Sequence, residues 1–331
     1  MSNFMESIKA RAKADKKTIV LPETGDIRTL KAADAVLRDG LANIILIGNA
    51  AAIAETGAGL DLSAAQIIDP SAYAKLDELA DKLYEMRKAK GMTAEEAKRL
   101  LLEDSLFLGV MLVKEKLADG MVAGAVNSTA NVLRPSLQIL KTAPGTKLVS
   151  AFFVMVVPDC DMGADGVFVY ADSGLNQNPN AEELAAIAVS SAASFKQLVQ
   201  AEPVVAMLSH STKGSAKHAD VDKVVEATKL AKAQAPALAL DGEFQLDAAI
   251  VPSVGAQKAP GNDVAGKANV LIFPDLDSGN IGYKLTERLA KAQAFGPVTQ
   301  GIAAPVNDLS RGCSFEDIVG VVAITAVQAQ K

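Results

Sequence analysis

The stretch NDLSRGCSFED, residues 307–317, lies between two apolar segments of different character. The run before it, GIAAPV (301–306), has the composition of a buried strand. The tail after it, IVGVVAITAVQA (318–329), has the composition of a buried helix. The stretch therefore predicts a strand-to-helix junction that carries a serine, an arginine, a cysteine and acidic side chains.

This junction has two interpretations, and both stay open at the level of the residues. Ser314 followed by Asp317 matches the pattern of a capping box, so Asp317 has a structural role available to it. Capping leaves Arg311 unexplained. A helix N-terminus offers free N–H groups and a partial positive charge, and an adjacent arginine strengthens it as a site for phosphate or an oxyanion. The second hypothesis is an anion site with a carboxylate close by to move a proton.

Apolar strand-like runs alternate with amphipathic stretches along almost the whole chain, which indicates parallel α/β sheets. Sparse aromatic residues (4%) favour cores of Ala, Val, Ile and Leu, which suit sheets covered by helices. The runs are TIVL (18–21), NIILIG (43–48), QIID (66–69), MVAGAV (121–126), VSAFFVMVV (149–157), GVFVYA (166–171), PVVAMLS (203–209), ALALDG (237–242) and ANVLIFP (268–274).

The chain length of 331 residues fits two domains. The segment LKTAPGTK (140–147), with its Pro-Gly pair, is the predicted crossing point between them, and AFGPVTQG (294–301) is the predicted return. We therefore predict one α/β domain from residues 1–146 plus 299–331, which carries the junction, and a second from residues 147–298.

Composition excludes several classes of protein. A formal net charge of −6 disfavours a nucleic-acid binder, which needs a basic face. No uncharged run approaches the roughly 20 apolar residues of a membrane span. Two cysteines do not make a disulfide framework, and the first residues do not read as a secretory signal. We expect a cytoplasmic protein without nucleic-acid or membrane partners.

Several stretches resemble nucleotide-binding, metal-binding or catalytic motifs but do not meet the requirements of those motifs. GNDVAGKA (261–268) resembles a P-loop but ends without a hydroxyl and precedes a strand, and no GxGxxG follows any strand. His210 and His218 have no partners at the spacing of a triad or zinc site, so we interpret them as surface or loop residues. Asp275 and Asp277 follow a strand, where metal ligands occur, but we favour Asp277 and Asn280 as turn or capping residues. We expect no metal site.

The segment PVNDLSRG (305–312) resembles the C-terminal signature of the phosphate acetyltransferase family. Further blocks similar to that family run through nearly the whole chain in family order and match its single-module form. These are LPETGDIRTL (21–30), RPSLQILKTAPG (134–145), VAMLSHSTKGSA (205–216), LDGEFQLDAAIVPSVGAQKAPG (240–261) and ANVLIFPDLDSGNIGYK (268–284).

The resemblance implies an acyltransferase of acetate metabolism that catalyses acetyl-CoA + phosphate ⇌ acetyl phosphate + CoA by thiolate attack in a ternary complex. It further implies two α/β/α domains separated by a cleft, a homodimer, and CoA as a substrate with no bound cofactor or metal. Catalytic positions fall on Ser310, Arg311 and Asp317. Positions that bind CoA or phosphate, or lie near the site, fall on Arg28, Arg87, Arg134, Ser128, Thr129 and Cys160.

Cys160 has no sequence partner that would activate its thiol, so we interpret it as a small apolar residue near the site. One departure from the family is Asn127 in GAVNSTAN (124–131), where many members carry histidine. Three alternatives remain. They are a phosphate butyryltransferase, a metal- and NAD(P)-dependent decarboxylating dehydrogenase that uses Asp275 and Asp277, and a two-lobed ligand-binding protein.

Overall fold

The computed structural model describes residues 3–330, and internal contacts divide the chain into two units. The discontinuous unit comprises Met5–Ala143 and Ile302–Lys331, and the central unit comprises Pro144–Gly301 with the chain start up to Phe4. Each unit contains one mainly parallel sheet with helices on both sides, which confirms the predicted α/β class. The exact domain limits drawn from the sequence stay a prediction.

Residues 3–330 form eleven strands and thirteen α-helices. In chain order the strands are β1 (Thr18–Leu21), β2 (Asn43–Ile47), β3 (Gln66–Ile68), β4 (Gly120–Ala123), β5 (Ser150–Val156), β6 (Val167–Ala171), β7 (Val204–Leu208), β8 (Ala239–Phe244), β9 (Val270–Ile272), β10 (Gln293–Gln300) and β11 (Val306–Asp308). The helices are α1 (Asn3–Ala14), α2 (Ile27–Asp39), α3 (Ala50–Thr56), α4 (Leu76–Arg87), α5 (Ala94–Glu103), α6 (Ser105–Lys114), α7 (Thr129–Ile139), α8 (Ala181–Val199), α9 (Ala219–Gln234), α10 (Leu246–Ile250), α11 (Pro252–Lys258), α12 (Leu276–Leu289) and α13 (Phe315–Gln328).

The sheet of the discontinuous unit has five parallel strands in the order β11-β4-β1-β2-β3. Its central strands β1, β2 and β4 are almost entirely buried, as expected for strands covered by helices on both faces. Helix α6 lies directly on β4, because a Cβ added at Gly109 would stand 2.7 Å from the sulfur of Met121. Residues 318–327 of α13 are all buried, which explains the apolar tail seen in the sequence.

The central unit has a six-stranded sheet in the order β10-β5-β6-β9-β7-β8, in which β5 runs antiparallel to both of its neighbours. The stretch 294–301, near which the return crossing is predicted, lies mostly within the edge strand β10, and the division between the two units falls at its end, after Gly301. This strand contains Pro297. The proline sits where the register of β10 shifts between Phe295 and Val298, and an edge or bulge position tolerates its missing N–H.

Capping residues fix the starts of two helices in the central unit. Asn180 and Glu183 form the predicted capping box of α8. Asp275 caps α12, because its carboxylate accepts hydrogen bonds at 2.8 Å from both the N–H and the hydroxyl of Ser278. A capped helix start is therefore present, but its cap is Asp275, and the prediction of Asp277 and Asn280 as turn or capping residues was wrong because both lie inside α12. In the described part of the chain, no helix is both long enough and apolar enough to traverse a bilayer.

Candidate active site

The strand order of the discontinuous unit locates a ligand-binding position. The chain passes from β1 to β2 on one side of β1 and later places β4 on its other side. Ligands of open α/β sheets bind outside the carboxyl ends of the strands at such a reversal. Three loops meet at this edge, namely the β1–α2 loop (22–26), the β4–α7 loop (124–128) and the β11–α13 loop (309–314).

A cavity of about 470 Å³ lies at this edge on the side of β2. Residues 22–26, Ile47, Gly48, Glu103 and Asn127 contribute to its lining. Its volume is typical of a small-molecule pocket. Its charged residues are all acidic, however, so this cavity disfavours a phosphate group. The favourable place for an anion is on the β11–α13 loop.

The β11–α13 loop presents Ser310 and Arg311, the first turn of α13 presents Asp317, and all three are exposed. Asp317 does belong to a capping box: its Oδ2 accepts the Ser314 N–H at 2.8 Å, and its own N–H donates to the Ser314 hydroxyl oxygen at 3.1 Å. Its Oδ1 accepts no hydrogen bond from residues 3–330, so it stays available to a proton. The capping interpretation is confirmed, and it leaves room for a second role.

Arg311 differs from the surrounding charged groups because its guanidinium has no hydrogen bond or ion pair within the described chain. It stands four residues before the start of α13, whose first turn supplies unpaired N–H groups and a partial positive charge. Ser310 accepts the Gly312 N–H at 3.3 Å through its hydroxyl oxygen, so the hydroxyl proton can be donated elsewhere. Together they offer a cation and a hydroxyl donor to an oxygen-rich anion.

Glu23 holds the β4–α7 loop and was missed in the sequence. Its carboxylate is 6% exposed and accepts four backbone N–H groups, from Gly124 (2.9 Å), Ala125 (2.7 Å), Val126 (3.3 Å) and Asn127 (3.0 Å). Successive N–H groups of this kind form a nest for an anion, and Glu23 fills it. The side-chain amide of Asn127 also donates to Glu23, at 2.9 Å. Asn127, the departure from the family, is therefore a partner of Glu23.

Asp308 ends β11 beneath these loops, and sequence reasoning missed it as well. It is 3% exposed, its Oδ2 accepts the hydroxyl of Thr129, and its Oδ1 has no hydrogen-bond partner in the described chain. Burial raises the pKa of Asp308 to about 6, while the Thr129 hydrogen bond opposes that shift and the charge of Glu23 adds to it. The one available signal was its position, an acidic residue at the carboxyl end of a strand.

Three predicted binding residues lie at or near this edge. The Ser128 hydroxyl caps α7 by accepting the Asn131 N–H at 3.4 Å, and Thr129 is committed to Asp308. Arg28, in the first turn of α2, donates hydrogen bonds to the carbonyl oxygens of Arg311 and Cys313, both at 2.9 Å. Arg28 thus belongs to the same cluster as the predicted catalytic residues.

The remaining predicted residues make no hydrogen bond to the three loops among residues 3–330. Arg134 is exposed on α7 and donates to the amide oxygen of Asn131 at 2.9 Å. Arg87 ends α4, and its buried Nε has no partner in the described chain. Cys160 belongs to the central unit, where it packs half-buried against that unit's apolar core, as expected for an apolar residue.

Comparisons with known proteins agree with this α/β organisation. The model of the family described as "Phosphate acetyl/butaryl transferase" matches residues 3–326. The chain is 62% identical to a phosphate acetyltransferase of Acetivibrio thermocellus over 99% of this chain and 98% of the relative. It is 59% identical to a phosphate acetyltransferase of Thermoanaerobacterium thermosaccharolyticum over 99% of this chain and all of the relative. The crystal structure of a phosphotransacetylase from Streptococcus pyogenes superposes with a TM-score of 0.93 at 45% identity, covering 99% of both chains.

Proposed function

The chain belongs to the phosphate acetyl/butaryl transferase family, and from this premise we propose that it is a phosphate acetyltransferase. It moves an acetyl group between CoA and inorganic phosphate: acetyl-CoA + phosphate ⇌ acetyl phosphate + CoA. The observation that carries the proposal at the level of the site is the unpaired guanidinium of Arg311 at the start of α13, flanked by Ser310 and Asp317. A cation, a hydroxyl and a carboxylate at one helix N-terminus suit the transfer of an acyl group to or from a phosphate oxygen.

The proposed reaction is a direct transfer in a ternary complex. Asp317 accepts the thiol proton of CoA through Oδ1, the oxygen that the capping box leaves unused. The sulfur then forms a bond to the acetyl carbonyl carbon of acetyl phosphate, and the bond from that carbon to the bridging phosphate oxygen breaks. Ser310 and Arg311 stabilise the negative charge that develops on the carbonyl oxygen and on the departing phosphate. In the reverse direction, phosphate oxygen attacks acetyl-CoA and Asp317 returns the proton to sulfur.

The proton transfer needs help from the surroundings. Reference pKa values of a carboxyl and a thiol differ by roughly 4.6 units, which corresponds to about 6 kcal/mol of unfavourable transfer. The cationic Arg311 and the helix N-terminus stabilise a thiolate and so lower the thiol pKa. The same groups stabilise the phosphate, and a well-placed oxyanion donor contributes about 3 kcal/mol in comparable sites. The same positive charge therefore stabilises both the CoA thiolate and the phosphate.

We assign binding of CoA and phosphate to Arg134, which is exposed, and to Arg87, which is half-buried. Arg134 and Arg87 carry charge suited to the phosphate groups of CoA, and arginine binds phosphate with paired hydrogen bonds. Ser128 and Thr129 begin α7, whose first-turn N–H groups suit an anion even though both hydroxyls have structural partners.

The enzyme is further proposed to work in the cytoplasm as a homodimer, without a permanently bound cofactor. An apolar stripe on α12 supports self-association, since Ile281, Leu285 and Leu289 share one face and are 57%, 52% and 79% exposed. Leu289→Asp should shift the species seen by light scattering toward the monomer. An unchanged molar mass would count against this stripe as the contact. The two units are proposed to be the two domains.

The decisive experiment follows free thiol release from acetyl-CoA with and without phosphate. Release that depends on phosphate, together with formation of acetyl phosphate, is the expected result. Thiol release that is independent of phosphate would reject the proposal in favour of simple hydrolysis. Parallel assays with propionyl-CoA and butyryl-CoA define the acyl range, and a preference for butyryl-CoA would favour the butyryltransferase alternative.

A further inference from the structure

All five N–H groups of the Arg28 guanidinium are used within the protein. The Nε donates to Asp26 Oδ1 at 3.0 Å, and Nη2 forms an ion pair with Asp26 Oδ2 at 2.7 Å. The second N–H of Nη2 donates to the carbonyl of Ala125 at 2.9 Å. The two N–H groups of Nη1 donate to the carbonyls of Arg311 and Cys313, both at 2.9 Å. Because a guanidinium has five donors, this arrangement leaves none for a ligand.

The acceptors of Arg28 lie on all three loops at the carboxyl edge of the sheet. Asp26 belongs to the β1–α2 loop, Ala125 to the β4–α7 loop, and Arg311 and Cys313 to the β11–α13 loop. Arg28 is held in turn by Asp26, whose carboxylate also caps α2 through the Arg28 N–H at 2.8 Å. A planar fork of donors oriented by a carboxylate is a rigid connector between loops.

Arg28 holds the backbone of the turn between Arg311 and Cys313. Gly312 at the centre of this turn is exposed, and a side chain added there would meet its nearest heavy atom at 3.8 Å, while Cys313 is 8% exposed. The Arg28 hydrogen bonds fix the carbonyls on both sides of this glycine, while the Arg311 side chain itself has no protein partner within residues 3–330. Arg28 and Arg311, which lie close together in space, therefore differ in their hydrogen bonding. The first is fully engaged by protein, and the second is available to a ligand.

We propose that Arg28 is a positioning residue for the acetyl transfer, one that fixes the Arg311–Cys313 turn so that Ser310 and Arg311 face the substrates. This inference rests on the proposed function and changes the role that resemblance had implied for Arg28. Arg28 acts through the turn and makes no contact with CoA or phosphate. Its loss therefore lowers the rate of the transfer without weakening substrate binding.

The test compares Arg28→Gln and Arg28→Lys with the parent chain in steady-state kinetics. Small displacements of catalytic groups cost about 10²-fold in rate, so Arg28→Gln is expected to lose roughly that factor in kcat. The KM values for CoA and phosphate should stay within about twofold of the parent. Lysine keeps the charge but lacks the planar fork, so Arg28→Lys should recover only part of the loss. The matched control is Arg38→Gln, an exposed arginine in the last turn of the same helix, which should behave like the parent.

Hydrogen–deuterium exchange supplies a readout that does not depend on activity. Amides of residues 309–314 should exchange faster in Arg28→Gln than in the parent, while those of β1 and β2 keep their protection. A rise of about tenfold in the KM for CoA or phosphate with kcat retained would overturn the inference, because Arg28 would then be a ligand. A loss of kcat with unchanged exchange at 309–314 would overturn it too. If the parent shows no phosphate-dependent cleavage, the proposed function fails, and the exchange data alone decide whether Arg28 holds the turn.

Discussion

Asp308 predicts that part of the folding stability is lost as the pH rises. An acidic residue with a lowered pKa in the folded state shows the reverse, because its contribution is lost as the pH falls. Its carboxyl is buried with one oxygen unpartnered, and burial raises its pKa from 3.8 to about 6. The folded chain therefore binds this proton more tightly than the unfolded chain does. Its stabilising contribution is complete while the carboxyl is protonated in both states, and it is lost as the pH rises from about 4 through about 6.

The size of the effect follows from the pKa shift. About two pKa units correspond to roughly 3 kcal/mol of folding free energy, of which about 2 kcal/mol is lost between pH 4.5 and pH 8. Asp308→Asn carries no titrating group, so the stability of this variant relative to the parent should rise by about 2 kcal/mol over that range. For a domain of this size, this equals a difference in Tm that grows by about 4–8 °C. Calorimetric scans of both proteins at a series of pH values measure it.

Two further variants make the assignment specific. Thr129→Val removes the hydroxyl that opposes the pKa shift of Asp308, so it should enlarge the pH dependence, and it should have no such effect when combined with Asp308→Asn. Asp81→Asn, an exposed carboxyl on α4, is the matched control. A Tm difference between Asp308→Asn and the parent that stays constant from pH 4.5 to pH 8 would refute the reasoning.

The remaining predictions concern the active site and its loops. Arg311→Gln should lower kcat by about 10²–10³-fold in the acetyl-CoA assay, and a rate within threefold of the parent would reject its role. Asp317→Asn should lower kcat by about 10²–10⁴-fold while circular dichroism stays unchanged, because asparagine can still accept the capping hydrogen bond. Arg87→Gln and Arg134→Gln should each raise the KM for CoA about tenfold with kcat retained, and unchanged KM values would contradict their assignment. Gly124→Ala should lower Tm, because Gly124 has φ +114° and a Cβ would stand 2.7 Å from a carbonyl of the β11–α13 loop. Calorimetry decides that case.

The regular elements could be predicted because their signals are local. The runs at 18–21, 43–48 and 66–69 correspond to β1, β2 and β3, since a buried parallel strand is apolar along its whole length. The capping boxes at the starts of α8 and α13 need residues only three positions apart. The edge strand β10 was missed for a related reason. Its identity depends on pairing with β5, while its own sequence contains Gly296 and Pro297 and reads locally as a turn.

The candidate site likewise contains residues that a local motif indicates and residues that only long-range contacts reveal. Ser310, Arg311 and Asp317 lie within eight residues at one strand-to-helix junction, so a motif can indicate them. The groups that hold that junction have no local signal, because the backbone carbonyls that accept hydrogen bonds from Arg28 lie 97, 283 and 285 residues away. Glu23 likewise reaches N–H groups 101–104 residues along the chain. These contacts exist because β4 and β11 lie beside β1, and strand order is a property of the folded sheet.

Arg28 and Arg311 differ in how many of their guanidinium donors are bonded to protein groups, and the family resemblance alone does not reveal this difference. A motif treats both as cationic side chains and so implies that both meet an anion. The folded chain places Arg28 among five protein acceptors and leaves Arg311 without one in the described residues. Since each guanidinium has the same five donors, the number already satisfied by protein separates a residue that builds the site from one that binds in it. The same count applied to Glu23, with five donors around one carboxylate, identifies it as part of the scaffold that presents the β4–α7 loop.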